Sequence, residues 1–434
     1  MGKYISFGQY NKQYKYIWIY VSIRLINDYF FSEAFPKQIR PDFIYTVNYP
    51  RPILVQIFFN YLGSLLFSFC VYLYLKYQSK EEKKEKAKLD YLSNILTEYK
   101  INQRKKSINL NMKLRIIITI FLSISSIQLI NLFYIVSFNG LIYWIFDIFF
   151  MSYINQLMFE NPIFSHKKIA IIIMVVFIFI FKFLSTLEYI MNDDYNLFYK
   201  NHIIIIPIFI IIYIILSLIR AYSICKMKYY LNYKLINLET FLITYNSIGL
   251  IIFLVASLIS TFVKCVDKSK IFDIDLICLI KIEKENKENY YFDNFFYFFE
   301  QLWRTNRKNG INVLYLILFI IRLFLNGARI LYIILIINYL SPEFYLCAYD
   351  LYYNILRYIE LINVIINGGN IRLEIYNVLT EIGALVGIFI YLELIELKFM
   401  NLNLNIKKNI QIRSNKEYEL YNLDEEDIVS EKEE

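Results

Sequence analysis

Histidine is nearly missing from this 434-residue chain, with 2 copies beside 5 cysteines. His166 and His202 stand far apart, and Cys70, Cys225, Cys265, Cys278 and Cys347 form no CxxC pair. Haem, zinc and a disulfide framework are therefore not expected, and neither a metal nor a cofactor is. Glycine (11) and proline (7) are scarce as well, although membrane helices carry more of both than soluble ones do. Charged residues are 19% of the chain, below the usual ~25%. So thin a charged fraction excludes a disordered protein, and the missing glycine and proline exclude a collagen.

What fills the space is apolar: 58% of the residues are hydrophobic, against roughly 45–50% in soluble globular chains. An ordinary cytosolic enzyme is excluded, and a polytopic membrane protein is expected. Tyrosine (41) and phenylalanine (37) are abundant, with isoleucine, asparagine and lysine. That bias fits translation from a very AT-rich genome, often an organellar one, so aromatic abundance by itself says little about function. The formal charge is +8, but the basic residues lie in gaps between apolar runs and make no nucleic-acid face. In such gaps Lys and Arg mark the side of the membrane that faces the synthesising compartment. Met1 to Lys15 is polar and aromatic without a small-residue cleavage site, so no cleaved leader is expected.

A membrane helix needs about 20 mainly apolar residues. The clear runs are Pro52–Tyr77, Leu114–Phe138, Leu141–Phe159, Ile169–Ile190, Ile203–Cys225, Phe241–Val266, Val313–Leu340 and Ile375–Met400. Phe344–Ile366 is weaker, broken by Asp350, Arg357 and Glu360. Tyr16–Ile26 is too short to cross and carries Arg24, which suggests an interfacial helix. The expected class is an all-α polytopic membrane protein with about seven to nine helices. Between Gln78 and Arg115 the chain is hydrophilic and rich in lysine, either a solvated helical hairpin on the inner side or a docking arm for a soluble partner. Tyr290–Trp303, with Asp293 and Glu300 on one face, suggests an amphipathic helix lying in the interface. The tail from Asn401 ends in acidic clusters and is expected to be solvated. Four segments result: 1–115, with the interfacial helix, one span and the charged loop; 116–310, with further spans and the amphipathic segment; 311–400, a helical hairpin; and 401–434, the tail.

A charge at the bilayer centre costs about 2.5–3.5 kcal/mol on insertion scales, so ionisable residues inside the runs are the functional candidates. They are Asp147, Lys182, Glu188, Arg220, Arg322, Arg329, Glu381, Glu393 and Glu396. Glu188, Arg220 and Glu396 stand near span ends, where long side chains reach water. Arg322 instead follows an uninterrupted apolar stretch from Val313 to Ile321, and Arg329 comes seven positions later on the same helical face. Glu374 and Glu381 are also seven apart, on the last run. Across an antiparallel hairpin the two stripes would oppose each other, as a structural ion pair or as the lining of a proton path. From Asn312 to Leu340 a helix would measure about 43 Å, longer than a hydrocarbon core of about 30 Å, so it must tilt, kink or extend beyond the core. Pro342 ends it, and Gly368–Gly369 permits a break before the last span.

At this helix the chain reads Ile321, Arg322, Leu323, Phe324, Leu325, Asn326. The run resembles the Arg-Leu-Phe-x-Asn motif of subunit a of F-type ATP synthases, and the enlarged, AT-biased chain looks like the divergent form in ciliate-type mitochondria. The resemblance implies a long, tilted helical hairpin facing a ring of c subunits, with Arg322 as the family's essential arginine and Asn326 as its asparagine. In the family the last helix carries a Glu or His and then a Gln seven residues on. Glu374 and Glu381 reproduce that spacing, while a gapless alignment on Tyr391–Leu392 puts Thr380 at the Gln position. After its Asn the family continues with Ala-Gly, where this chain has Gly327, Ala328 and Arg329. Specific resemblance covers Asn312 to Met400.

By the same resemblance the chain conducts protons and does no covalent chemistry of its own. Arg322 would carry the fixed charge, with Asn326, Arg329, Glu374 and Glu381 supporting the proton path. The implied partners are the c-ring, a peripheral stalk, other membrane subunits and lipids such as cardiolipin, in a large and in some forms dimeric complex of the mitochondrial inner membrane. Nucleic acid is not among them. Two other classes stay open: a secondary transporter or other proton-pumping respiratory subunit, and a structural membrane subunit. Transporters often show internal repeats and Gly/Pro-broken helix pairs, and neither stands out here.

Overall fold

The computed structural model describes residues 5–7, 14–27, 53–86, 110–136, 140–159, 164–191, 205–232, 234, 236–263, 280–284, 287–291, 293–296, 313–367 and 371–398. Among them strand β1 (Ile5–Phe7) precedes helices α1 (Lys15–Arg24), α2 (Ile53–Lys86), α3 (Leu110–Val136), α4 (Gly140–Phe159), α5 (Ser165–Met191), α6 (Ile205–Asn232) and α7 (Leu238–Phe262). Strands β2 (Ile280–Lys284) and β3 (Lys287–Tyr291) come next, then helices α8 (Val313–Tyr339), α9 (Pro342–Asn367) and α10 (Ile371–Tyr391), and strand β4 (Ile395–Leu397). The protein is therefore mostly helical.

Among the described residues four helices are long and apolar enough to cross a membrane: Leu54–Tyr77, Asn111–Ile130, Leu238–Phe262 and Phe319–Tyr339. Only 33%, 39%, 33% and 33% of their most apolar windows are buried inside the protein. The remainder exposes large apolar side chains such as Leu73, Phe121, Ile251 and Phe262. A soluble surface rarely carries continuous apolar patches of that kind, whereas lipid covers them. This is a membrane protein.

The chain divides into two compact units. Lys15–Gly140 and Leu197–Ala348 form the larger one. In it α2 packs against α7 and α8, α3 against α6 and α7, and α6 against α8, so the contacts close a ring of helices. Small residues permit the closest approaches, as expected where lipid removes the hydrophobic drive for helix pairing. A Cβ added at Gly63 would stand 2.5 Å from the Leu323 Cβ and 2.6 Å from its backbone oxygen. Gly327 faces the Phe67 side chain in the same way, and Gly249 faces the Tyr61 ring. Helix α1, the segment expected to lie in the interface, packs lengthwise on α8. Tyr16 stacks on Tyr339 at 5.5 Å, and Asn27, a turn beyond the other end of α1, reaches Asn326.

Two ends of this unit are closed by side chains. Buried Asp293 accepts hydrogen bonds from the Leu54 (2.5 Å) and Val55 (3.1 Å) amides and so caps the start of α2. The neighbouring Phe295 amide donates to Thr261 at the end of α7 (2.9 Å). Tyr290 and Tyr291 lie in β3, paired antiparallel with β2, so the aromatic segment begins as a hairpin strand, and Phe295 and Phe296 are helical. Glu300 lies outside the described residues. At the other end Lys228 donates to the Leu340 carbonyl (2.7 Å) and Asn232 to that of Asn338 (3.1 Å), where a cation complements the helix C-terminus. Pro342 then opens α9, a position that needs no amide donor.

The other unit comprises Met1–Tyr14, Leu141–Asn196 and Tyr349–Glu434. Its main contact is α5 against α10, where Gly383 meets Phe177 and Gly387 meets Met174 and the Ala170 carbonyl. The last helix was expected to continue to Met400, yet it stops at Tyr391. Glu393 adopts φ 61°, uncommon for a side chain other than Gly, and the Leu394 amide bonds back to Phe389 (2.9 Å) while that of Glu393 bonds to Ile390 (3.1 Å). That pair of bonds turns the chain into β4, which pairs antiparallel with β1. Tyr14 donates to the Leu392 carbonyl (2.7 Å) and ties the N-terminal segment to this turn. Glu396 is buried, so it does not reach out to water as its place near a span end suggested; buried Arg220, in the larger unit, differs in the same way.

Candidate functional site

Arg322 and Arg329 stand on α8 about 20° apart around the helix axis, as a spacing of seven requires. The buried stripe of α8 runs through Asn326, Ile330, Ile334 and Ile337. Its outward stripe consists of Ile317, Ile320, Ile321 and Phe324. Both arginines are half-buried, along the edge between the two. A guanidinium there stands beside an apolar surface that lipid or another membrane chain can cover.

Asn326 is 1% exposed and engages three partners. Its Nδ2 donates to Asn60 Oδ1 (2.8 Å) and to the Arg322 carbonyl (3.0 Å), and its Oδ1 accepts from Asn27 Nδ2 (3.2 Å). The side chain thus joins α8 to α2 and to the segment after α1. Its bond to the Arg322 carbonyl lies within α8, one turn back along the helix.

Asn60 begins a polar stripe along α2. Ser64 donates to the Asn60 carbonyl (2.7 Å) and Ser68 to that of Ser64 (2.6 Å), while Asn246 of α7 donates to Ser68 Oγ (2.7 Å) and to the Ser64 carbonyl (3.3 Å). Tyr61, next to Asn60, stacks on Phe253 of α7 (5.6 Å between ring centres) and lies 6.4 Å from the Tyr245 ring. A chain of hydroxyl and amide groups thus runs from Asn326 through Asn60, Ser64 and Ser68 to Asn246, across α8, α2 and α7. Reasoning from charge alone missed these residues. Asn60, Ser64 and Ser68 at intervals of four were a readable signal, since that period puts polar groups on one face of an otherwise apolar helix.

Glu374 and Glu381 lie in α10, in the smaller unit, and their side chains lie outside the described residues, as do those of Lys182 and Glu188. Each of the two stripes is thus seen in its own unit. Thr380, the other candidate for the family's Gln position, is fully buried and bonds the Tyr376 carbonyl (2.8 Å). At the end of α10, Tyr391 meets Ser152 Oγ (3.2 Å) with Lys167 over its ring at 5.1 Å, and buried His166 lies 3.4 Å from Glu393. Asp147 on α4 is buried in the same unit. Among the described residues no group of three or more His, Cys, Asp or Glu gathers where it could hold a metal ion.

No protein-family model matches the chain, and no curated protein matches it in sequence.

Proposed function

We propose that the chain is the proton-conducting subunit a of the membrane motor of an F-type ATP synthase, in a mitochondrial inner membrane. The observation that carries this reading is Arg322: a guanidinium on an apolar helix, in an Arg-Leu-Phe-x-Asn run, at the edge of an outward apolar stripe and one turn from a buried asparagine. The wider architecture of this reading is seven to nine membrane helices ending in a long tilted hairpin, α8 with α9 and α10.

The mechanism follows from electrostatics. A carboxylate on a c subunit is neutral while it faces lipid, because a bare charge there is costly. Opposite Arg322 it ionises, since the guanidinium offsets its charge and remains protonated at every relevant pH. The same fixed cation repels a proton moving straight between two aqueous half-channels, so protons cross only by riding the ring. Asn326 anchors the helix that carries Arg322, Arg329 extends the cationic edge, and Glu374 and Glu381 exchange protons with water. The c-ring, a peripheral stalk and neighbouring membrane subunits are the partners, and the chain performs no nucleotide chemistry.

Arg322→Ala should leave the complex assembled and abolish proton-driven ATP synthesis in inner-membrane vesicles. Undiminished synthesis by the assembled variant refutes the assignment. The hydroxyl and amide chain that links α8, α2 and α7 favours one second reading, a secondary transporter. In that case the purified chain alone in proteoliposomes transports a substrate with protons.

A further inference from the structure

A cleft of about 600 Å³ opens between the N-terminal half of α3 and the C-terminal half of α6. Arg115, Lys226 and Lys234 line it with Tyr222, Tyr229 and Tyr230, and no carboxylate is among its described lining residues. The tyrosines hold the cations without neutralising them. Lys226 Nζ lies 5.6 Å from the Tyr222 ring centre and 5.3 Å from that of Tyr229, and Lys234 Nζ lies 5.6 Å from Tyr229. Such contacts attract an ammonium group while leaving its N–H bonds for an anion. Arg115 is exposed on the second turn of α3, where its planar fork suits a phosphate.

The rest of the wall is apolar. Ile118 and Leu122 line the cleft deeper along α3, and exposed Ile117, Phe121 and Leu218 continue the apolar surface on the two helices. A soluble phosphate compound would leave that surface unused, whereas acyl chains would cover it. The cleft also lies at the cationic end of the unit, where α6 and α8 finish together under Lys228 and where the lysine-rich segment enters α3. Basic pockets between membrane helices on the inner side suit lipid phosphates.

We propose that this cleft is a binding site for an anionic phospholipid, with the phosphate between Arg115, Lys226 and Lys234 and the acyl chains along α3 and α6. The proposal rests on the membrane reading and is independent of the motor reading. A failed lipid test leaves the Arg322 assignment standing, and a failed Arg322 test leaves this one standing.

The test uses the purified full chain in mixed micelles with a photoactivatable phosphatidylglycerol. Crosslinks are expected on the peptides holding Arg115 and 222–234, with phosphatidylcholine a poor competitor and unlabelled phosphatidylglycerol an effective one. Each of Arg115→Gln, Lys226→Gln and Lys234→Gln should weaken binding about fivefold, and all three together about a hundredfold. The pair Lys226→Arg and Lys234→Arg keeps the charge and should keep binding, which separates loss of a site from loss of folding. Equal competition by phosphatidylcholine, or a triple variant that melts normally and crosslinks normally, overturns the proposal. So does displacement of the lipid by glycerol 3-phosphate at the same concentration, which would make the site one for soluble phosphates.

Discussion

Asn326 offers the sharpest test of how α8 is held. Replacing it by Ala removes its bonds to Asn60 (2.8 Å), Asn27 (3.2 Å) and the Arg322 carbonyl (3.0 Å). Hydrogen bonds between membrane helices average about 0.6 kcal/mol and reach about 1.7. Two of the three bonds reach other segments and amount to about 1 kcal/mol on that average, and leaving buried amides without this partner adds about 1 kcal/mol more. The expected loss for Asn326→Ala is therefore about 2 kcal/mol. Asn60→Ala, which removes one of these bonds and is less buried, should cost about 1 kcal/mol. Reversible unfolding in mixed micelles, run as a double-mutant cycle on Asn60 and Asn326, isolates the direct bond. A coupling of about 0.6–1.7 kcal/mol is expected. Asn326→Asp is the steric control: it keeps the volume and an acceptor for Asn27 but loses both donors, so it should cost at least as much as Ala. Single effects that add within about 0.3 kcal/mol would show that the two side chains do not hold the helices together, and the anchoring role of Asn326 would fall with them.

The closeness of α2 and α8 can be tested at Gly63, where an added Cβ would meet the Leu323 backbone oxygen at 2.6 Å. Gly63→Ala should destabilise the protein by about 1–3 kcal/mol, and a neutral result in the same unfolding assay would argue against the packing. At the start of α2, burial raises the Asp293 carboxyl above its ordinary value, and the amide bonds from Val55, Asn294 and Leu54 pull it down without cancelling the rise. The folded state then holds the proton longer than the unfolded one. Its contribution to stability is full below the unfolded value of about 3.9 and is lost as pH rises through the folded value. Asp293→Asn should flatten that stretch of the stability–pH curve while keeping an acceptor for the α2 amides; an unchanged slope would refute the assignment.

The membrane class was legible in composition and run length, because crossing a bilayer demands apolar length in the linear sequence itself. Among those runs, the structure shows four described helices that meet the requirement. Arg322 was legible for the same reason: a charge inside an apolar run stands out with no knowledge of its neighbours. Its supports did not stand out. Asn27, Asn60 and Asn326 are separated by long stretches of chain, and an asparagine becomes informative only when another helix brings it a partner. The stop at Tyr391 was hidden for a related reason. Nothing in Ile395–Leu397 forbids a helix; the turn through Glu393 and the pairing with Ile5–Phe7 made it a strand.

The cationic cleft shows the division most clearly. Arg115 is more than a hundred positions from Lys226 and Lys234, and in the linear chain they are ordinary charges at the ends of two apolar runs. Their type is a property of the chain, and so is their place near a membrane surface. Their convergence on one cleft, with tyrosine rings beneath the lysines, comes from packing α3 against α6. Hydropathy is summed along one helix at a time, so it can be read from order alone. A binding site depends on distances between helices, and those are set only when the glycines, asparagines and serines of separate segments meet.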